Sequence, residues 1–208
     1  MSSSTLLLSL FKYKAWANDE LFAELDKLDP QARQAERHLA IRLLNHIHVV
    51  DRIFAAHLAG QPHAYTATNT PETPTLAELR DAVAQTDRWY VAYIEGLTPQ
   101  QLEESLPFVF TDGANGLMSR EEMLAHVATH GGYHRGAVGR IMAQAELPPP
   151  RDIFTVYLHR AEPARREQEA GRDRHRAEAM VRERRQQTDD PVRRADAALR
   201  EQETLDDR

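Results

Sequence analysis

The sequence predicts an all-α protein: a four-helix bundle with a short hairpin-like loop before its last core helix and a charged C-terminal extension. Three observations predict it. Four stretches of roughly 20 residues repeat apolar side chains with the 3.6-residue period of a helix. Start and stop signals bound them: Pro30, Gly60 and Gly96 as stops, Thr75/Glu78 and Ser119/Glu122 as capping boxes. Composition then changes abruptly near Pro163, after which apolar residues become too sparse for a core.

The first helix is expected over Leu6 to Leu28, where Leu7, Leu10, Phe11, Lys14, Ala17, Leu21, Leu25 and Leu28 keep the period and Pro30 closes the segment. The second runs from about Leu39 to Leu58 and stops at Gly60, with Leu43, Ile47, Val50, Phe54 and Leu58 as its stripe. Gln61 to Pro74 reads as a loop by its Pro, Thr and Asn content, long enough to cover a pocket. The third helix opens at the Thr75/Glu78 box and carries Leu79, Val83, Thr86, Tyr90, Tyr93 and Ile94 to Gly96. Pro107 to Met118 alternates as a short hairpin, with Asp112-Gly113 and Asn115-Gly116 as turn residues. The fourth helix opens at Ser119/Glu122 and ends before Pro148-Pro149-Pro150; Ile153 to Leu158 then packs back on the bundle.

Residues 1–162 form the expected functional domain. Residues 163–208, with 12 Arg and 12 Asp+Glu, form an extension that is either disordered or a solvated helix. The net charge of −6 therefore lies in residues 1–162 and argues against nucleic acid as the main partner. The chain has no cysteine, which excludes disulfides, thiolate metal sites and a cysteine nucleophile. The N-terminus lacks the charged start and cleavage site of a signal peptide, and no window approaches ~18 continuous apolar residues. No membrane partner and a cytoplasmic location are expected.

The chemistry concentrates in HVATHGGYHRGAVGRIM, His126 to Met142. Histidines four apart on a helix stack on one face and can reach one ion. Summing the directions of Met123, Leu124, Val127, Val138, Ile141, Met142 and Ala145 places His134 about 20° from the inward direction, His130 about 60° and His126 about 100°. His130 and His134 are thus the inward pair and His126 a boundary residue. On the second helix His46 lies about 60° from the stripe centre and His48 about 140°, so His46 faces the interior and His48 solvent. The expected metal ligands are His46, His130 and His134, leaving open positions for water or substrate. Packed together without a cation, three such imidazoles would leave nitrogens unpaired.

Other architectures fail on the residues. H-E-x-x-H, E-x-x-H, glycine-rich phosphate loops and G-x-S-x-G are all absent, which removes the zincin, di-iron, nucleotide-binding and serine-hydrolase plans. Asp51 and Arg135 neighbour the ligands in sequence, either as groups supporting them or as surface salt-bridge partners. Tyr133 and Trp16 read as core-packing residues ahead of pocket residues. No catalytic side chain is identified.

The chain resembles the DinB/YfiT-like metalloenzyme family, four-helix bundles with a three-histidine metal site, over about residues 5–160. The resemblance rests on LLNHIHVVDRIF (Leu43 to Phe54), KYKAWAN (Lys12 to Asn18) and THGGYHRGAVG (Thr129 to Gly139), with PPPRDIFTVYLH (Pro148 to His159) similar to a bacterial subgroup. It implies the same ligands, His46, His130 and His134. Where the family often has Gln after the Arg-Gly pair, this chain has Ala137.

The resemblance implies a divalent-metal-dependent enzyme; as a ligand set, three histidines suit zinc first and nickel second, with iron or manganese further down. The leading activity is thiol S-transferase or related detoxification chemistry through a metal-activated thiolate from a low-molecular-weight thiol. The alternatives are a hydrolase using metal-bound water, and a non-catalytic metal-binding stress protein. The expected partners are a small-molecule substrate and a second copy of the chain in a homodimer.

Overall fold

The computed structural model describes residues 2–188. Helix α1 (Ser3–Leu25) begins before its apolar period because Ser2 caps it, accepting from the Thr5 amide at 3.3 Å. It ends short of Leu28, whose amide bonds to the Leu25 carbonyl in a tighter turn. Helix α2 (Gln34–Ala59) also starts before its apolar stretch. It stops at the predicted Gly60, which takes the left-handed conformation (φ +65°) and donates its amide to the last turn.

Helix α3 (Leu76–Glu95) opens on the Thr75/Glu78 box, with both reciprocal bonds made. A single-turn helix, α4 (Pro99–Glu103), follows where the sequence reading placed no element. Strands β1 (Ser105–Val109) and β2 (Asn115–Ser119) pair antiparallel, with Phe108 opposite Gly116. The turn uses Asp112, whose carboxylate accepts from the Ala114 amide at 3.0 Å, and Gly113 at φ +89°. Asn115-Gly116, expected as turn residues, instead belong to β2. Gly116 is needed there because the Phe108 ring occupies the space a Cβ would take. Helix α5 (Arg120–Gln144) opens on the predicted Ser119/Glu122 box. The predicted apolar segment forms most of α6 (Phe154–Ala161), whose Phe154 and Tyr157 rings pack on Tyr13, centroids 5.1 and 5.9 Å apart.

The fold is the expected mostly helical one. Helix α1 packs against α3 and α5, and α2 packs against the same two, so the order around the bundle is α1, α3, α2, α5. Two apolar clusters fill it. One holds Phe22 and Leu25 of α1, Ile41 and Leu44 of α2, Leu79 of α3 and Met142 of α5. The other holds Phe11, Phe54, Tyr90 and Leu124 from the same four helices. Helices α1 and α5 therefore run from the second cluster to the first, and α2 and α3 run the opposite way. Because α2 and α3 are parallel, residues 60–75 must return along the length of the bundle, and that return carries them past the histidines. Between the clusters lies a layer of buried polar side chains: Lys14, Asn18, Asp51, Asp87 and Arg135.

The chain divides into two compact units, Met1–Tyr157 and Leu158–Arg208. In the second unit, α7 (Pro163–Thr188) exposes Met180 and Val181, as its charge-rich sequence requires. The apolar tail positions Val192, Leu199 and Leu205 lie outside the described residues. No described helix is long and apolar enough to cross a membrane.

Candidate metal centre

His46 comes from α2, and His130 and His134 from one face of the antiparallel α5. The structure brings the three together: one ring nitrogen of each lies within 4.8 Å of the other two. Ring centroids are 4.9 Å apart for His46 and His130, 4.7 Å for His46 and His134, and 4.5 Å for His130 and His134. Among the described residues this is the one group of three or more His, Asp or Glu side chains close enough to share an ion.

The tautomer of His46 follows from its partner. Its Nδ1 lies 2.7 Å from the Thr68 carbonyl oxygen, which only accepts, so Nδ1 carries the proton and donates. That leaves the lone pair of neutral His46 on Nε2, facing His130 Nε2 at 3.1 Å. Thr68 belongs to the returning loop. Asn45 anchors the loop by donating to the side-chain oxygens of Asn69 and Thr70, and Arg42 donates to the Thr70 carbonyl at 2.6 Å. The loop predicted to cover a pocket thus orients a candidate ligand.

Electrostatics favour the neutral imidazoles that a cation requires. Burial, with lesser repulsion from His134, His46, His126 and Lys14, pushes His130 down to about 3. Burial and then His46 lower His134. The helical phase had placed His134 nearer the interior, but His130 is the deeper residue: its Nδ1 is shielded from solvent and has no hydrogen-bond partner. His126 is exposed, stacked on His130 at 5.5 Å and against Phe54 at 4.7 Å, which agrees with a boundary position.

Several sequence expectations change. His48 does not face solvent; it is half-buried on the α3 side with Nδ1 unpartnered, and burial lowers its pKa to about 4. Tyr133 is 78% exposed rather than core, and Trp16 is half-buried against Tyr13 and Tyr157. Asp51 and Arg135 are not surface salt-bridge residues, since both are buried. Lys14 Nζ reaches Asp51 Oδ2 and Asp87 Oδ1, each at 2.7 Å, and Asn18 donates to the other Asp87 oxygen at 2.8 Å. Arg135 donates from Nε to Asp152 at 2.8 Å and lies beside Asn18, while Tyr13 donates to the same Asp152 carboxylate. Sequence reasoning assigned no role to Asp87 and left Lys14 as a member of the apolar stripe. The signal available was a charged residue on each apolar face: Lys14 in the α1 period, and Asp87 four residues after Val83 on α3.

This ionic cluster abuts the histidine helix. Gly131 of α5 leaves the space: a Cβ there would lie 3.2 Å from Arg135 Nη1 and 3.4 Å from Lys14 Cε. Beyond the triad, an apolar pocket of about 420 Å³ opens between α2, α5 and the hairpin, with His46 and His130 in its wall.

Protein DinB of Bacillus subtilis (strain 168) is 22% identical over 167 residues, covering 74% of this chain and 95% of that protein. The profile of the DinB family matches residues 1–171, which include the bundle, the loop over His46 and all three histidines. The chain belongs to the DinB family.

Proposed function

We propose that His46, His130 and His134 hold a divalent metal ion and that the chain is a metal-dependent enzyme whose leading activity is transfer of a low-molecular-weight thiol to an electrophile. One observation carries the metal: the lone pair of His46 Nε2, fixed by the Thr68 carbonyl, faces His130 Nε2 at 3.1 Å with His134 beside them. Half-buried imidazoles converging in this way satisfy one another poorly, and a shared cation removes the conflict. Three neutral ligands leave the full charge of the ion for an incoming group. Bound there, a divalent ion lowers the pKa of a thiol or water delivered to its open side.

The chain's own residues hold and shield. Thr68 sets the His46 ring, the loop from Gln61 to Pro74 keeps Thr68 in place, and the hairpin closes one side of the pocket. The chain offers no cysteine, so the nucleophile comes from the substrate or from water. Zinc is the first choice of ion and nickel the second.

Elemental analysis of protein purified without a histidine tag tests the site. About one equivalent of metal is expected in the wild type, and none in His46→Ala or His130→Ala variants that retain helical circular dichroism. Stoichiometric metal in either variant overturns the assignment. Turnover of an electrophile that requires added thiol supports transfer; equal turnover without thiol replaces it with hydrolysis.

A further inference from the structure

The pocket beside the triad has a chemistry of its own. Ile53 and Phe54 of α2 and Phe108, Phe110 and Met118 of the hairpin form its walls. No Lys, Arg, Asp or Glu lines it; its polar members are histidines and threonines. Its volume of about 420 Å³ falls at the lower end of the roughly 300–1,000 Å³ typical of small-molecule sites.

The hairpin is built to hold this wall. Phe108 is 6% exposed, packs on Phe54 at 6.0 Å and on Phe110 at 4.7 Å, and its ring fills the space a Cβ at Gly116 would take. The pocket is continuous with the candidate metal centre, since His46 and His130 belong to both.

We infer that this pocket is the subsite for the body of the electrophilic substrate, and that it selects an uncharged molecule carrying one or two aromatic rings or a short branched alkyl chain. The inference rests on the proposed metal centre for the position of the reacting group. Away from the ion, a carboxylate or ammonium against these walls loses its hydration and meets no charged side chain, whereas an aryl or alkyl body gains by leaving water. Low-molecular-weight thiols bear charges or several hydroxyls, which makes them poor occupants. The pocket is therefore assigned to the other substrate.

The test uses N-phenyl-1-naphthylamine, a neutral dye whose emission rises in apolar surroundings, with full-length protein stripped of metal by chelation. Saturable binding is expected. Benzyl alcohol should displace the dye at concentrations at least tenfold lower than benzoate. Met118→Glu, at a half-buried hairpin position, should weaken dye binding at least tenfold, while Met118→Leu retains it. Adding Ni(II) should quench the bound dye in the wild type but not in His134→Ala, since His134 is a candidate ligand outside the pocket lining.

Equal displacement by alcohol and carboxylate overturns the inference, as does unchanged binding in Met118→Glu or a wild-type protein that retains nickel without quenching. Dye binding in a wild-type protein that retains no metal overturns the metal centre instead, so the two failures are distinguishable.

Discussion

Two polar clusters occupy the same level of this bundle and solve opposite problems. In the interior, Lys14 bridges Asp51 and Asp87, with Asn18, Arg135 and Asp152 completing a chain of bonds across α1, α2, α3 and α5. Toward the pocket, His46, His130 and His134 converge with ring nitrogens facing one another, and His130 Nδ1 is unpartnered. The first cluster carries its cations within the chain. The second gathers three ring nitrogens within 4.8 Å of one another, close enough to share an ion. A buried polar group is tolerated when bonded and costly when it is not. The contrast marks the ionic cluster as a structural element and supports the proposal that the histidines receive an ion.

The largest expected effect comes from breaking the ionic cluster. Lys14→Met leaves two buried carboxylates without a counter-charge and should cost about 3–5 kcal/mol in urea unfolding. Replacing Asp51 and Asp87 by Leu in the same variant should recover most of that loss. A small effect of Lys14→Met alone would show that the cluster is dispensable.

The histidines should behave in the reverse sense. His130→Ala should leave the metal-free stability nearly unchanged but abolish stabilisation by added metal, which for the wild type is about 2.7 kcal/mol at a concentration 100 times Kd. Thermal unfolding with and without zinc checks both arms. A large loss in the metal-free protein would make the triad a packing element.

A smaller effect separates the loop from the ligands. Asn45→Ala removes the anchor of Asn69 and Thr70, and through them the Thr68 carbonyl that sets His46. Metal affinity should fall at the low end of the roughly 10–100-fold range for groups that orient ligands, with the metal-to-protein ratio at saturation unchanged. Titration calorimetry reads both.

The smallest expected signal is a slope with pH. Burial pushes the Asp51 carboxyl up to about 6 despite Lys14, and its Oδ1 has no partner. Between its ordinary value of 3.8 and about 6, the folded state holds a proton that the unfolded chain has lost. This contribution is therefore full below that window and is lost as pH rises through it. His130 acts in the opposite direction, because its lowered pKa adds stability above about 6.5 that is lost on acidification. The difference between the wild type and Asp51→Asn isolates the first term and should shrink from pH 4 to pH 6 in urea titrations.

The bundle was legible because its signals are local. Apolar periods, the two capping boxes and Gly60 each involve residues within a turn or two, and the structure repeats them. The pairing of His130 with His134 was equally local, as an i, i+4 relation on one helix. His46 required a second helix, and its phase against the apolar stripe sufficed to separate it from His48 as the residue facing α5. The phase misjudged depth, however. Helix α2 is covered by both α3 and α5, so its buried arc is wider than one mean direction describes, and His48 falls within it. For the same reason the mean direction of α5 ranked His134 above His130.

By itself, then, the sequence determined the four long helices, the ends marked by the two capping boxes and Gly60, and the three histidines that meet, because periodicity and capping act over a few residues. Only the tertiary structure decided that Lys14, Asp51, Asp87 and Arg135 share one buried layer. It also decided that the return of residues 60–75 lays Thr68 on His46 and that an uncharged pocket borders the triad. Each of these joins residues dozens of positions apart, and their contact depends on which helices are neighbours and in which direction they run. Helical period carries no information about either.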